Sequence, residues 1–290
     1  MLKTFKIGGV HPPESKLTSG GKIQKLPVPE QVIIPLGQHI GAPATPVVQK
    51  GDTVKAGQLI GQASGFVSAN VHSSVSGTVL AVENRPDAAG LQKPCVVIKV
   101  EGDEWMEGID CSEKIDHNIT ASQEEILKAI TAAGIVGMGG ATFPTQVKLS
   151  PPPGSKAEIL IINGVECEPY LTADHRIMLE RAEEIIIGVQ ILMKAIDVKQ
   201  AIIGIENNKR DAIDRLTSIT SKVLGIEICP LKVKYPQGGE KQLIKATTGR
   251  AVPSGALPIA VGAVVQNVGT ALAGFLAALK NKALSGRGVT

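Results

Sequence analysis

Hydrophobic and polar positions divide the chain into three stretches with different periods. Residues 1–30 hold no sustained period and are rich in Gly and Pro, as an irregular arm would be. From Gln31 to about Val100, β-branched runs (VIIPL, PVVQKGDTVKAGQLIG, VHSSVSGTVLAVE, CVVIKV) alternate with glycine turns at Lys50-Gly51-Asp52 and Lys55-Ala56-Gly57. Each run suits short strands of about four to eight residues. A polar stretch near Glu101–His117 (EGDEWMEGIDCSEKIDH) then marks a boundary. Beyond it, helical periodicity alternates with short apolar runs. Ser122 and Glu125 have capping-box spacing ahead of ILKAITAAG, and Gly134 is the predicted stop of that helix. EILIING (Glu158–Gly164), AIIGIE (Ala201–Glu206) and IEICPLKVKY (Ile226–Tyr235) are predicted strands. Ala173–Ile196 and Asn208–Val223 are predicted helices.

Strand–helix–strand repetition predicts a parallel sheet with right-handed crossovers. The expected organisation is an arm (1–30), a small all-β domain (31–117) and a Rossmann-like α/β domain (118–290). Within the all-β part, GDTVKAGQLI (Gly51–Ile60) and VHSSVSGTV (Val71–Val79) resemble the barrel-sandwich hybrid of biotinyl and lipoyl carriers. Those carriers attach the prosthetic group to a lysine at an exposed hairpin tip. Here the corresponding segment is Gly65-Phe66-Val67-Ser68-Ala69, without a lysine, so the expected role is structural or docking rather than swinging-arm transfer.

Composition excludes several classes of function. Hydrophobic residues make up 43% and charged residues 20%, enough for a true core, and aromatics at 2% leave that core to Ile, Val, Leu and Ala. The net charge of +3 is spread without a basic run interleaved with aromatics, so nucleic acid is not an expected partner. No window approaches the roughly 18 uninterrupted apolar residues of a membrane span. The most apolar stretch, Ile259–Leu279, is broken by glycines, Gln266, Asn267 and Thr270. The N-terminal MLKTFKIGGVHPPE lacks the apolar core of a signal peptide. Cys95, Cys111, Cys167 and Cys229 stand far apart with no CxxC, so zinc and iron–sulfur sites are not expected and buried free thiols are. Trp105 is expected to pack or to meet a partner.

The sharpest chemical feature is a glycine run, Gly137-Met-Gly139-Gly140, that leads through Phe143-Pro144 to Lys148. Closely spaced glycines let backbone N–H groups converge on an anion without Cβ interference. Lys148 could add a cation. The spacing is neither G-x-G-x-x-G nor a P-loop, so the run alone is equally a structural turn.

Gly137–Lys148 resembles the GxGGAGFPTxxKW flavin loop of the NADH-binding flavoprotein subunit of respiratory complex I. Asn163–Pro169 (NGVECEP) resembles that family's NADExEP, Tyr235–Glu240 (YPQGGE) its YICGEE, and Gln266–Thr270 (QNVGT) its NNVET. A fuller match is with the RnfC family, a component of Rnf ion-translocating ferredoxin:NAD⁺ oxidoreductases. It runs through GGVHPPE (Gly8–Glu14), IPLGQHIGAPA (Ile34–Ala44), GFVSANVHSSVSGTV (Gly65–Val79), GGATFPTQVKLSPP (Gly139–Pro152) and IINGVECEPYLTADHR (Ile161–Arg176). The chain is identified as a member of that family.

The resemblance implies an FMN site. Gly137, Gly139 and Gly140 would face the phosphate and ring, with Lys148 beside them, and Asn163 would hydrogen-bond the flavin. Glu166 and Glu168 would stand near the ring or the incoming nicotinamide, or else supply helix N-terminal charge. Tyr235, Gly238, Gly239 and Glu240 would line the NADH entrance, and Gln266, Asn267 and Thr270 would hold the phosphate end of FMN. Four positions depart from the complex I pattern. Val165 replaces an aspartate, Gly239 the first glutamate of GEE, Gln266 an asparagine and Thr142 a glycine. The lost carboxylates leave fewer acceptors for nucleotide hydroxyls.

Hydride chemistry belongs to the flavin, so no protein acid or base is expected, and His175 is expected to be structural or surface. By the same resemblance the chain would be the electron-transfer component of a membrane-bound complex. It would lie peripherally on the cytoplasmic side of the bacterial inner membrane, among the other Rnf subunits. There it would exchange a hydride with NAD(H), and electrons would pass to or from ferredoxin through two [4Fe–4S] clusters. The sequence stops at Gly286-Arg-Gly-Val-Thr290 before any cluster-binding cysteines, so the β-grasp and cluster domains are expected outside it. The alternative is a flavin-free docking scaffold of the same complex.

Overall fold

The computed structural model describes residues 2–284 and 288–289. They group into two compact units. One holds the chain up to Gln24 together with Lys148–Phe275 and β13 (Gly288–Val289); the other holds Lys25–Val147 and the chain from Leu276. This grouping differs from the expected boundaries at residues 30 and 117. The strand β1 (Gln24–Lys25) straddles the division.

The second unit is antiparallel. One sheet has the order β2 (Gln31–Pro35), β8 (Gln92–Gly102), β7 (Ser76–Pro86), β4 (Thr53–Val54). The other has the order β3 (Thr45–Pro46), β5 (Leu59–Gln62), β6 (Val71–His72). Between them Leu36, Val54, Ile60, Val71, Val79, Val96 and Ile98 form an aliphatic core. Trp105 is half-buried, with the Lys282 ammonium 4.2 Å from its ring centroid, a cation–π contact.

The helix α1 (Gln123–Ala132) starts on the predicted capping box. The Ser122 N–H donates to Glu125 at 2.7 Å, and the Glu125 N–H donates to the Ser122 hydroxyl at 3.3 Å. It stops as predicted, with Gly134 at φ +63°. The Asn70 side chain donates to the Thr131 and Ala132 carbonyls at 3.4 and 3.1 Å, satisfying groups that the helix leaves open. A Cβ on Gly134 would strike the Asn70 carbonyl. These contacts explain why α1 and the glycine loop group with the β strands. Periodicity along the chain does not encode such long-range caps.

The first unit is a four-stranded parallel sheet in the order β11 (Ile226–Leu231), β10 (Ala201–Glu206), β9 (Ile159–Gly164), β12 (Ala263–Asn267). The predicted strand at Ile226–Tyr235 ends at Leu231. Its helices are α3 (Ala173–Glu180), α4 (Ala182–Ala195), α5 (Arg210–Thr220) and α6 (Glu240–Thr248). The short α2 (Thr145–Lys148) and the long α7 (Val268–Lys280) cross the division between the units. The single helix predicted for Ala173–Ile196 is broken at Arg181, whose φ −125° and ψ 27° lie outside helical geometry. Arg181 caps one helix and opens the next, so each can aim its own buried face. The expected α/β class holds, with a central β9 and chain order reversing between β9 and β12. Open α/β sheets bind ligands in the crevice at the strand ends of such a switch point.

All four cysteines are free. Cys95 and Cys229 are buried as expected, whereas Cys111 is exposed and Cys167 partly so. Cys111 lies in the polar stretch where no strand or helix covers it. Among the described residues no helix is long and apolar enough to cross a membrane. Ile259–Leu279 is instead divided between a 3₁₀ turn (Pro258–Val261), β12 and α7.

Gly188 of α4 abuts the Ala271 carbonyl of α7, and a Cβ there would overlap main chain rather than a movable side chain. Gly188→Ala should therefore destabilise the protein by about 3 kcal/mol in urea unfolding. An unchanged midpoint would refute this close approach.

Candidate functional site

Of the fourteen residues singled out from the sequence, the three glycines of the glycine run lie in the antiparallel unit. The remaining eleven lie in the parallel-sheet unit.

In the antiparallel unit, Val136 and Pro144 bridge across the base of the glycine loop, and the Gly137 N–H donates to the Phe143 carbonyl at 2.9 Å. Gly139 and Gly140 are exposed. Gly140 takes φ +141°, a conformation closed to most side chains. Thr142 stands at φ +48°, which accounts for a glycine at the corresponding position of the complex I pattern; a β-branched residue there is strained. A Cβ on Gly137 would meet nothing closer than 3.6 Å. Below the loop, Thr145 Oγ1 and Gln146 Oε1 are buried without a hydrogen-bond partner.

In the parallel-sheet unit, two amide side chains at neighbouring strand ends organise the predicted residues. Asn163, near the end of β9, donates from Nδ2 to the Gly238 carbonyl at 2.9 Å and accepts from the Val165 N–H at 3.1 Å. Asn267, the last residue of β12, donates to the Asn163 carbonyl at 3.3 Å and to Asp174 Oδ2 at 2.6 Å. Its Oδ1 accepts the Gly269 N–H at 2.7 Å at the start of α7. Lys148 Nζ donates to Glu240 Oε1 at 2.8 Å and to the Val265 carbonyl of β12 at 3.2 Å. Both members of that ion pair are about one-third exposed, so it orients more than it stabilises. Gln266 is buried, and its Nε2 has no partner. Thr270 is fully buried in the first turn of α7.

Glu166 is buried, and its two carboxylate oxygens accept the Asp174 and His175 N–H groups at 2.7 and 3.1 Å. It thus supplies charge to the α3 N-terminus. Glu168 is exposed, and its side chain approaches the Cys167 thiol at 3.8 Å. Tyr235 carries the arm: Val10 and Tyr235 exchange backbone hydrogen bonds at 2.8 and 2.9 Å. A Cβ on Gly238 would come within 3.1 Å of the Val165 carbonyl, and one on Gly239 within 2.6 Å of the Gln242 side chain. His175 is buried against Asp211 at 2.8 Å, the structural role expected of it.

Two residues that hold this strand end together escaped the sequence patterns. Lys16 donates to the carbonyls of Glu166, Glu168 and Leu171 at 2.8, 2.8 and 2.7 Å, clamping the segment between β9 and α3. Burial, followed by repulsion from Lys209, lowers its pKa. Asp174 is only half-buried as a residue, but burial of its carboxyl, reinforced by Glu166, pushes its pKa up to about 7 against the hydrogen bond from Asn267. The one sequence signal for Asp174 was its place inside the TADHR block; nothing marked Lys16 beyond its closeness to GGVHPPE.

Residues 130–273 match the family described as the Nuo51 FMN-binding domain, and residues 3–103 match the RnfC barrel sandwich hybrid domain. The RnfC-type protein of the proton-translocating ferredoxin:NAD(+) oxidoreductase complex of Clostridium ljungdahlii is 51% identical over 275 residues, 94% of this chain and 59% of that protein. Its counterpart in the Na(+)-translocating complex of Acetobacterium woodii is 50% identical over 92% of this chain and 60% of that protein. The corresponding protein of an ion-translocating oxidoreductase complex of Rhodobacter capsulatus is 45% identical over 100% of this chain and 56% of that protein. The chain belongs to the RnfC family. It spans somewhat more than half the length of these RnfC relatives. The two RnfC proteins named for different ions resemble it almost equally, at 51% and 50% identity.

The raised Asp174 pKa has a defined consequence for stability. Between about pH 4 and pH 7 the native state retains a proton that the unfolded chain has released. Stability contributed by this group is therefore present at low pH and lost as pH rises through that window. Asp174→Asn should match the wild type near pH 4 and exceed it by on the order of 2 kcal/mol at pH 8, in urea unfolding at a series of pH values. Curves that stay parallel would refute the assignment.

Proposed function

We propose that this chain holds FMN and presents it to NADH, as the nucleotide-facing part of a membrane-bound ion-translocating ferredoxin:NAD⁺ oxidoreductase complex. The observation that carries this reading is the β9–β12 strand end. There the buried Gln266 has an amide donor without a partner, and the next residue on β12, Asn267, bonds the Asn163 carbonyl, with Lys148 bonded to the same strand. A buried donor without a partner costs free energy that an acceptor on a ligand would recover. Flavin phosphate and ring oxygens are such acceptors, so these residues fit the group.

In this reading Gln266, Asn267 and Thr270 bind the phosphate end, and Asn163 binds the ring. Gly137, Gly139 and Gly140 offer main-chain groups to the flavin. Lys148 is drawn from Glu240 toward the anion. Tyr235, Gly238, Gly239 and Glu240 line the NADH entrance, with Glu168 on its rim and Glu166 holding α3 in place. Bound FMN would supply hydride acceptance and single-electron release. The carboxylates missing at Val165 and Gly239 leave NADH held more weakly than in complex I relatives. The barrel-sandwich part, proposed as residues 31–117 after an arm at 1–30, docks to other subunits at the cytoplasmic face of the membrane. The α/β part, proposed as 118–290, carries the nucleotide. Electrons pass to or from ferredoxin through two [4Fe–4S] clusters that this chain does not supply.

The test is titration of the purified chain with FMN, followed by anaerobic bleaching of the visible flavin band with NADH. Gly137→Ala is the informative variant, because the folded chain has room for its methyl group. It should keep its melting temperature and lose about tenfold in FMN affinity, roughly 1.4 kcal/mol. A folded wild-type chain that never binds FMN would instead establish the docking-scaffold alternative.

A further inference from the structure

Asp174 is not among the residues that the flavin resemblance points to, yet it sits behind them. Its Oδ2 accepts from Asn267 Nδ2 at 2.6 Å, a charge-assisted bond when the carboxyl is ionised. The Asn267 amide cannot turn over without loss, because its Oδ1 accepts the Gly269 N–H while its Nδ2 also reaches the Asn163 carbonyl. Asn163 in turn holds Gly238. A single connected set of bonds thus runs from α3 through the ends of β12 and β9 to the Tyr235–Glu240 segment. Glu166 and Glu168, between β9 and α3, face Asp174 with like charge, and Lys209 at the start of α5 opposes them. His175, next on α3, is engaged with Asp211 of α5.

We infer that Asp174 is a positioning residue for the flavin site: its carboxyl fixes the aim of Asn267, and its negative charge opposes a phosphate bound there. This rests on the flavin reading given above. Two effects of Asp174 are separable. As a hydrogen-bond acceptor it orients Asn267 in either protonation state. As an anion, when ionised, it opposes a phosphate bound at Asn267, so binding FMN and binding a proton favour each other.

The experiment measures the dissociation constant of FMN by fluorescence quenching for the full 290-residue chain, Asp174→Asn and Asp174→Ala, from about pH 5.5 to about pH 8.5. Dividing the wild-type value by the Asp174→Asn value cancels the titration of the flavin phosphate itself. That ratio should rise about fivefold from the acid to the alkaline end. Asp174→Asn should bind FMN at least as well as the wild type throughout, since its amide oxygen still accepts from Asn267. Asp174→Ala should bind about tenfold more weakly than Asp174→Asn at every pH. A constant ratio, or an alanine variant equal to the asparagine variant, overturns the inference and leaves the flavin reading standing. Absence of FMN binding by the folded wild type at all pH values overturns the flavin reading and the inference together. If Asp174→Ala does not fold, the wild-type to Asp174→Asn ratio decides alone.

Discussion

Where a parallel sheet ends, the backbone groups of its last residues lose their neighbours, and something other than the ladder must satisfy them. In this protein the amide side chains of Asn163 and Asn267 do so. Each bonds to main chain outside its own strand, at Gly238, Val165 and Gly269, and Asn267 also bonds the carbonyl of Asn163. Segments far apart in sequence are thereby fixed to one edge of the sheet. A rigid edge of this kind suits a large planar ligand, because the binding groups need little further ordering when it arrives.

That edge is densely charged. Lys16 is committed to three carbonyls, Glu166 to two N–H groups, and Lys209 to Glu206 at 3.0 Å in nearly complete burial. Buried ion pairs add little net stability, and removing one partner is costly. Their physical effect is to hold loops in one arrangement. Glu206 Oε1 and the Gln266 amide remain without partners, a local cost against stability that a binding site tolerates and a plain core does not. Asp174 follows the same logic: burial, reinforced by the acidic Glu166 beside it, pushes its carboxyl pKa up to about 7.

Much of the fold was legible along the chain. AIIGIE is a strand at its predicted bounds because five consecutive apolar or glycine positions, followed by Glu206, are buried on both faces. The α1 capping box and the Gly134 stop were local chemistry, readable within three or four residues. The break at Arg181 was not legible, since the apolar period continues across it and only the packing of two separate faces demands it. Exposure of Cys111 was likewise invisible, because burial is decided by what lies above a residue.

For the candidate site the division follows the same line. Sequence by itself determined the family, the order of the motif blocks and the residue types that an anion-binding, flavin-like site needs, because these are properties of contiguous residues. Only the tertiary structure decided that Glu166 caps a helix, that Lys148 meets Glu240, that Lys16 clamps the segment before α3, and that Asp174 stands behind Asn267. Those pairings join residues between 8 and 155 positions apart. Their existence depends on how strand ends and helix starts come together in space, and no local pattern carries that information.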